Sequence, residues 1–385
     1  MKFLGYRRNN GNVGTRNHIL IFPTVICSSI AAQKISSKVP GTVSVTHPCG
    51  CGHVGEDKEQ VIRTMVGFTS HPNVASVLLV GNGCELITPD VIARELAKTG
   101  QRVETISIQE AGGTTKCVEE GEKLAERLLA EASRIKREPV GASELILGLE
   151  CGGSDAFSGL TANPALGVAS DLLIAEGGTA ILTETTEMLG AEKILAKRAA
   201  DAEVEKNIYG TIAAAEAKAK SMGADIRGAQ PAPGNIVGGL TTIEEKSLGC
   251  IRKGGSSTIM QVVKYAEEPT KRGLVIMDGT AFDVASDTGL IASGAQVIIF
   301  TTGRGTPVGT PTVPVIKVSS NTTTYNKVKE NIDINAGVIL DGSDTIQGVG
   351  ERIFNQLLEV ASGKLVKAEI LGHCEFDIPT LGPVI

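Results

Sequence analysis

Four cysteines stand where an apolar run gives way to a polar, glycine-rich loop. Cys27 directly follows the run 18–26, and Cys84 sits in Gly83-Cys84-Glu85 after 74–80. Cys151 sits in Glu150-Cys151-Gly152-Gly153-Ser154-Asp155 after 145–147. Cys51 comes slightly later after 42–46, inside His47-Pro48-Cys49-Gly50-Cys51-Gly52-His53. A thiol between a strand end and a helix start is acidified by the helix dipole. Strand ends of a parallel sheet gather on one edge, so thiols far apart in sequence can converge there. The spacing is not that of a zinc ribbon, which uses close cysteine pairs. Three thiolates around one centre suit a single divalent iron, or an iron–sulfur cluster with one iron left open. Cys27, Cys84 and Cys151 are the candidate ligands, with Cys51 or His47 as alternates. An open metal position beside hydroxyl and carboxylate groups is what a dehydrating enzyme needs. The competing reading of any free cysteine is a small buried hydrophobe. Cys117 and Cys374 take that reading, and Cys250 fits either.

Other polar groups follow the same pattern. The stretch 145–167, LILGLECGGSDAFSGLTANPALG, runs from a buried strand into a loop holding Asp155, Ser158 and Asn163, and Pro164 then opens a helix. Arg304 lies between two glycines after the apolar run 298–302, which suits capture of a carboxylate or phosphate. Residues 241–247, TTIEEKS, form either an ordinary helix start with acids near the dipole or a source of a base. His18 and His71 read as structural, while His47 and His53 stand among glycines and cysteines. No Walker A, strand-following GxGxxG, HExxH or GxSxG pattern occurs, which argues against nucleotide, zinc-protease and hydrolase chemistry.

The elements that must position these groups alternate strand and helix. Apolar runs at 18–26, 42–46, 74–80 and 103–108 are separated by helical stretches at 30–38, 57–67 and 89–99, and a long helix at 119–137 follows. Leu124, Leu128, Ala132 and Ile135 mark the core face of that helix. Ser28 and Ser29 are the expected cap of the first helix. Residues 5–17 read as a polar lead-in and 136–143 as a boundary, giving domains 1–140 and 141–385. Strands are expected at 145–147, 179–183, 274–277, 296–301, 313–318 and 338–340. Helix is expected across the alanine-rich 184–223 and at 346–362. The pattern is that of an α/β protein with parallel βαβ sheets covered by helices. With aromatics at only 3% and no tryptophan, the core must be Val, Ile, Leu and Ala, as in covered parallel sheets. A net charge of −6 argues against nucleic acid. No apolar run reaches the roughly 20 residues of a membrane span, and the start MKFLGYRRNN lacks a signal-peptide core, which places the chain in the cytoplasm.

Several motifs occur together and in order: GNVGTRN at 11–17, PTVIC at 23–27, His47 to Cys51, and Gly83-Cys84-Glu85. ECGGSDAFSGLTANP at 150–164, Thr183-Glu184, Pro233-Gly-Asn235, GLTTIEEKSLGC at 239–250 and TTGRGTP at 301–307 complete the series. The chain thereby resembles the altronate/galactarate dehydratase (UxaA) family over nearly its whole length. The resemblance implies an iron-dependent lyase acting on a polyhydroxy or 2-hydroxy acid. It also implies an oligomer whose small SAF-domain subunit is a separate chain, an organisation similar to that of the split sulfolactate sulfo-lyase.

The shared chemistry is β-elimination from a 2-hydroxy acid, with water or sulfite leaving. Metal binds the leaving group, a base removes the α-proton, and cations hold the carboxylate. Arg304 and Arg16 are the candidate carboxylate clamps. Lys246, Glu245 and His47 are the candidate bases. Asp155, Ser158, Asn163 and Asn235 are expected to meet substrate hydroxyls. A non-catalytic iron–sulfur carrier is the alternative from another class, with every iron fully ligated and no use for these polar loops.

Overall fold

A computed structural model describes residues 1–382. It contains a four-stranded parallel sheet, a seven-stranded parallel sheet and a small antiparallel ribbon, with helices between them. The ribbon consists of β1 (Lys2–Arg7), β2 (Val13–Gly14) and β7 (Glu138–Gly141), in the order β2-β1-β7. The four-stranded sheet consists of β3 (His18–Pro23), β4 (Thr42–Ser44), β5 (Val74–Gly81) and β6 (Arg102–Ser107), in the order β4-β3-β5-β6. The third sheet contains β8 (Ile146–Cys151), β9 (Thr179–Leu182), β10 (Ile259–Val263) and β11 (Gly273–Met277). It is completed by β12 (Val297–Thr302), β13 (Val315–Ser319) and β14 (Ile334–Asn335), in the order β10-β11-β9-β8-β12-β13-β14.

The central strands are buried on both faces, as Ile19, Leu20, Ile21 and Phe22 show, which is why the sequence reads there as unbroken apolar runs. Strand order reverses between β3 and β5 in one sheet and between β8 and β12 in the other. Ligands of open α/β sheets bind in the crevice outside such a reversal. Helices Gly55–Thr69 and Asp283–Ala292 pack side by side and join the two sheets. Gly67 comes so close that a Cβ there would lie 2.2 Å from the Ala292 carbonyl oxygen. Each helix starts from the carboxyl edge of its own sheet, and their last turns meet at Gly67 and Ala292. Both carboxyl edges therefore face the same side of the molecule.

Several expectations are corrected. The polar lead-in expected at 5–17 overlaps a strand, Lys2–Arg7, which pairs with Glu138–Gly141. The helix expected at 119–137 is Thr114–Ala132, with Cys117, Val118, Ala125 and Leu128 inward, and Ile135 lies beyond it. The stretch 184–223 is broken at Gly190, φ 85°, into a turn Thr185–Met188 and a short helix Glu192–Ala196, and the long helix begins only at Ala202–Ser221, capped by Asp201. The strand expected at 338–340 is a single helical turn, Gly337–Ile339, and β10 went unpredicted. Ser28 does not cap its helix; its hydroxyl donates to the carbonyls of Val25 at 2.9 Å and Val80 at 2.6 Å.

Candidate active site

β8 carries Cys151 to the reversal point of the larger sheet. Three further segments meet it there. After β9 the chain turns at Glu184, held at φ 67°, and a helical turn, Thr185–Met188, brings in Glu187. A left-handed backbone on a non-glycine residue is strained and is found where the surroundings over-determine it. Helix Ile243–Cys250 is capped by Thr242, whose hydroxyl accepts from the Glu245 amide at 3.2 Å. That helix places Lys246 and Cys250 one turn apart on one face. The turn Ile251–Gly254 adds Lys253.

The Cys151 and Cys250 sulfurs are 3.7 Å apart. The Cys151 thiol donates to Glu187 Oε2 at 3.0 Å and to Glu184 Oε1 at 3.6 Å. Glu184 Oε2 also accepts from the Cys151 amide at 3.1 Å and from Lys253 Nζ at 2.5 Å. Lys246 Nζ pairs with Glu187 Oε1 at 2.7 Å. One ligand atom from each of Cys151, Glu184, Glu187 and Cys250 lies within 4.8 Å of all the others, and all four residues are buried. Two thiolates bound to one tetrahedral ion at about 2.3 Å stand about 3.8 Å apart, close to the observed separation. The set fits one metal ion.

The charges agree with that fit. The hydrogen bond with Cys250 and burial both push the Cys151 thiol well up, so it is protonated in this state. Burial lowers Lys246 and Lys253, but the acidic groups around them outweigh it and both remain cations. Burial and the neighbouring Glu187 raise the Glu184 carboxyl to about 7, whereas Glu187, despite its burial, is held below its usual range by Lys246 and Lys253; with both ionised, two carboxylates and two ammonium groups cancel. A dication that displaces two thiol protons leaves the net charge unchanged, so the site can take such an ion without a buried charge imbalance.

Behind this set, Glu150 Oε2 accepts from Ser286 at 2.6 Å, while Glu150 Oε1 and both oxygens of Asp287 are buried with no partner. Burial pushes both carboxyls well up, which keeps them uncharged. Asp283 differs: it is half-buried and raised to about 6 by burial and Glu187. It faces Gly152, where a Cβ would lie 3.2 Å from Asp283 Oδ2.

A cavity of about 410 Å³ lies alongside, lined by Ser154, Asp155, Ser158, Asn163, Lys246 and Arg252 among others. A second, of about 490 Å³, shares Asp155 and is walled by Arg304, Asn321 and Thr322–Thr324. The loops after β8 and β12 are tied together by the amides of Gly303 and Arg304, which both donate to the Gly153 carbonyl. Asp155 accepts from Ser158 and Ser320, both at 2.7 Å, and from Asn321 at 2.9 Å. Asn163 joins Thr301 to the Gly249 carbonyl, and Asn235 donates to the Ser154 carbonyl. These four expected substrate contacts therefore also build the loops that shape the cavities. Arg304 is exposed, and its guanidinium makes no hydrogen bond or ion pair among the described residues.

Two predicted site residues, Arg16 and His47, sit elsewhere, and a third, Glu245, lines the 410 Å³ cavity but is ill suited to its expected role. Arg16 is buried and spends all five N–H donors on Glu369 and the carbonyls of Thr15, Val360 and Lys364, so none is left for a substrate. Glu245 is exposed, and its carboxylate accepts from the Thr241 amide and hydroxyl, which hold it below its usual range and make it a poor base. His47 is buried beneath Phe22 and Phe376, and its Nε2 meets the Pro23 carbonyl at 2.7 Å. Burial lowers His47 to about 4. Lys246 is in the site, but as a cation bound to Glu187. Of the expected metal ligands, Cys151 alone joins the buried set; Cys27, Cys51 and Cys84 are exposed on the edge of the other sheet. Sequence reading left Cys250 open and missed Glu184, Glu187, Lys253 and Asp283 as site residues.

A doubly wound α/β chain with a buried two-thiol, two-carboxylate set beside a cavity at its reversal point has the architecture of an enzyme. Comparison with known proteins gives the family. Residues 5–133 match the second domain of D-galactarate dehydratase/altronate hydrolase, and residues 142–384 match the C-terminal D-galactarate/altronate dehydratase domain. Altronate dehydratase of Bacillus subtilis (strain 168) is 38% identical over 382 residues, covering 95% of this chain and 75% of that protein. Galactarate dehydratase (L-threo-forming) of Escherichia coli (strain K12) is 40% identical over 386 residues, covering 94% and 73%. The (2R)-sulfolactate sulfo-lyase subunit beta of Chromohalobacter salexigens is 36% identical over 381 residues, covering 98% and 97%. The chain belongs to the D-galactarate/altronate dehydratase family and is a lyase. No helix among the described residues is long and apolar enough to cross a membrane.

Proposed function

We propose that this lyase removes water from a sugar acid of the altronate or galactarate type, leaving a 2-keto-3-deoxy acid, with iron held by Cys151, Cys250, Glu184 and Glu187. The observation that carries the reading is the buried convergence of these four ligands beside a cavity at the reversal point. Iron bound there supplies a Lewis acid for the departing hydroxyl. The remaining tasks fall to side chains of the chain itself. Asp283 takes the hydrogen next to the carboxylate: it is half-buried, faces Gly152, and its raised value brings it nearer the working pH of a base. Lys246, held as a cation by Glu187 at the cavity wall, favours the negative charge that builds as the proton leaves. Arg304 receives the substrate carboxylate in a bidentate pair, its stem lying over Gly153. Water leaves, and the enol that remains tautomerises to the keto acid.

Two features extend the reading. The match along 97% of a protein named subunit beta supports a second chain as partner, and the family resemblance makes that chain a small one of the SAF type. The same match favours, as second reading, sulfite leaving from sulfolactate to give pyruvate. The test uses protein purified without oxygen together with the small partner. Keto acid from altronate or galactarate supports the dehydratase, and sulfite with pyruvate moves the substrate but keeps the site. Cys250→Ser should lose both bound iron and turnover, whereas Asp283→Asn should lose turnover and keep iron. A fully active Cys250→Ser enzyme would remove the buried set from the mechanism.

A further inference from the structure

Cys27, Cys51 and Cys84 are all exposed, although free cysteine is among the most buried residue types. All three leave the carboxyl edge of the four-stranded sheet. Cys27 follows β3 and Cys84 follows β5, the two strands that flank that sheet's own reversal point, and Cys51 follows β4. Their loops are fixed to one another. The Ile26 amide donates to the Cys49 carbonyl at 3.1 Å, and the Ile87 amide to the Gly50 carbonyl at 3.2 Å. Thr24 Oγ1 donates to Glu85 Oε1 at 3.0 Å. Gly50, at φ 124°, packs so tightly that a Cβ would lie 2.6 Å from the Thr24 carbonyl oxygen. Asn82 Nδ2 donates to Cys84 Sγ at 3.2 Å, and hydrogen bonds to sulfur are among the groups that tune cluster thiolates. Ile26, Ile30, Val54 and Leu86 stand exposed beside these cysteines, an apolar collar of the kind that controls solvent access to a metal site.

This arrangement differs from the buried centre. Thiolates sharing one ion stand about 3.8 Å apart. Among the described residues, only Cys151, Glu184, Glu187 and Cys250 form a group of three or more ligands within 4.8 Å of one another. Cys27, Cys51 and Cys84 thus do not close on a single ion. In an iron–sulfur cluster each cysteine binds a different iron, with sulfide between, so the cysteine sulfurs stand further apart. We propose that Cys27, Cys51 and Cys84 hold a four-iron, four-sulfide cluster whose remaining iron has no protein thiolate and faces the solvent side of the crevice. This second centre is separate from the ion at Cys151 and Cys250, and it does not depend on which acid is the substrate.

The test is reconstitution of the full chain without oxygen, using equal ferrous and ferric iron with sulfide, which supplies the mixed-valence cluster with no outside oxidant. Acid-labile sulfide, iron and visible absorption are read in wild type, Cys27→Ala, Cys51→Ala, Cys84→Ala and Cys250→Ser. The expected result is a sulfide-containing chromophore in wild type and Cys250→Ser, lost at least tenfold in each of the other three. Alkylation followed by mass spectrometry gives a readout on wild type alone: the cluster-loaded chain should protect these three exposed thiols, and the apo chain should not. Iron bound without labile sulfide, a chromophore retained in all three alanine variants, or equal alkylation in loaded and apo chain would each overturn the proposal. Iron with lyase activity but no sulfide would do so while leaving the proposed function standing.

Discussion

Replacing Arg16 by methionine should unfold the protein more easily while leaving substrate affinity unchanged. The guanidinium pairs with Glu369 through two bonds, at 2.7 and 2.8 Å, and donates to the Thr15, Val360 and Lys364 carbonyls. Side-chain exposure is 7% for Arg16 and 18% for Glu369, so solvent screens the pair little. Arg137 lies alongside, donating to Leu4, Thr15 and Ala361, and the two arginines rivet the amino-terminal ribbon to helix Ile346–Ala361. Methionine keeps much of the volume but leaves the largely buried Glu369 carboxylate without its ion pair. Removing one partner of a buried pair costs about 3–5 kcal/mol. Arg16→Lys keeps the charge with three donors in place of five, and a smaller loss is expected. Denaturant melts of wild type, Arg16→Met, Glu369→Gln and the double variant would give the coupling directly. A raised KM with unchanged stability in Arg16→Met would refute the framework role and return Arg16 to the substrate.

Arg304→Gln should behave in the opposite way: charge-assisted hydrogen bonds contribute about 1.5–3 kcal/mol, so kcat/KM should fall roughly tenfold to a hundredfold with stability unchanged, and unaltered steady-state kinetics would exclude Arg304 from binding. Gly303→Ala puts a Cβ 2.3 Å from the Asp155 carboxyl carbon. That crowding should cost about 1–3 kcal/mol in a melt and roughly a hundredfold in turnover through displaced loops; wild-type values for both would show that the loop adapts freely. His47 carries a pH signature. Burial lowers it to about 4 from an unfolded value near 6.5, so the folded state prefers the neutral ring. Its contribution is whole above the unfolded value and drains as pH falls from there toward the folded one, amounting to about 2 kcal/mol by pH 5. Melts of His47→Gln at pH 7 and 5 should show that much less acid loss than wild type, and parallel losses would contradict it.

The strands were legible because both faces are buried, so that 18–23 and 74–81 read as apolar runs whichever way a side chain points. Helix Pro89–Thr99 was legible at about its true bounds, and its ends are marked chemically by Thr88, Pro89 and Gly100. The ribbon was hidden because Lys2–Arg7 alternates polar and apolar residues over only six positions and finds its partner at 138–141, far along the chain. Half of the site was hidden for a related reason. Cys151 announced itself by following a strand into glycines. Glu184 and Glu187 begin a stretch whose alanines read as continuous helix, and the left-handed residues Glu184 and Gly190 set their short turn apart from it. Cys250 and Lys253 lie on helical turns, where a thiol and a lysine look like a core residue and a surface residue. The four cysteines picked out by strand-end position do share one side of the molecule, since helices Gly55–Thr69 and Asp283–Ala292 align the two carboxyl edges. Position along the strands could not say which sheet each belonged to. The two reversal points separate them: one gathers exposed thiols on well-tied loops, and the other draws a thiol inward to meet a second thiol 3.7 Å away. A chain built from two doubly wound sheets has two places to put a metal, and sequence spacing alone merges them into one.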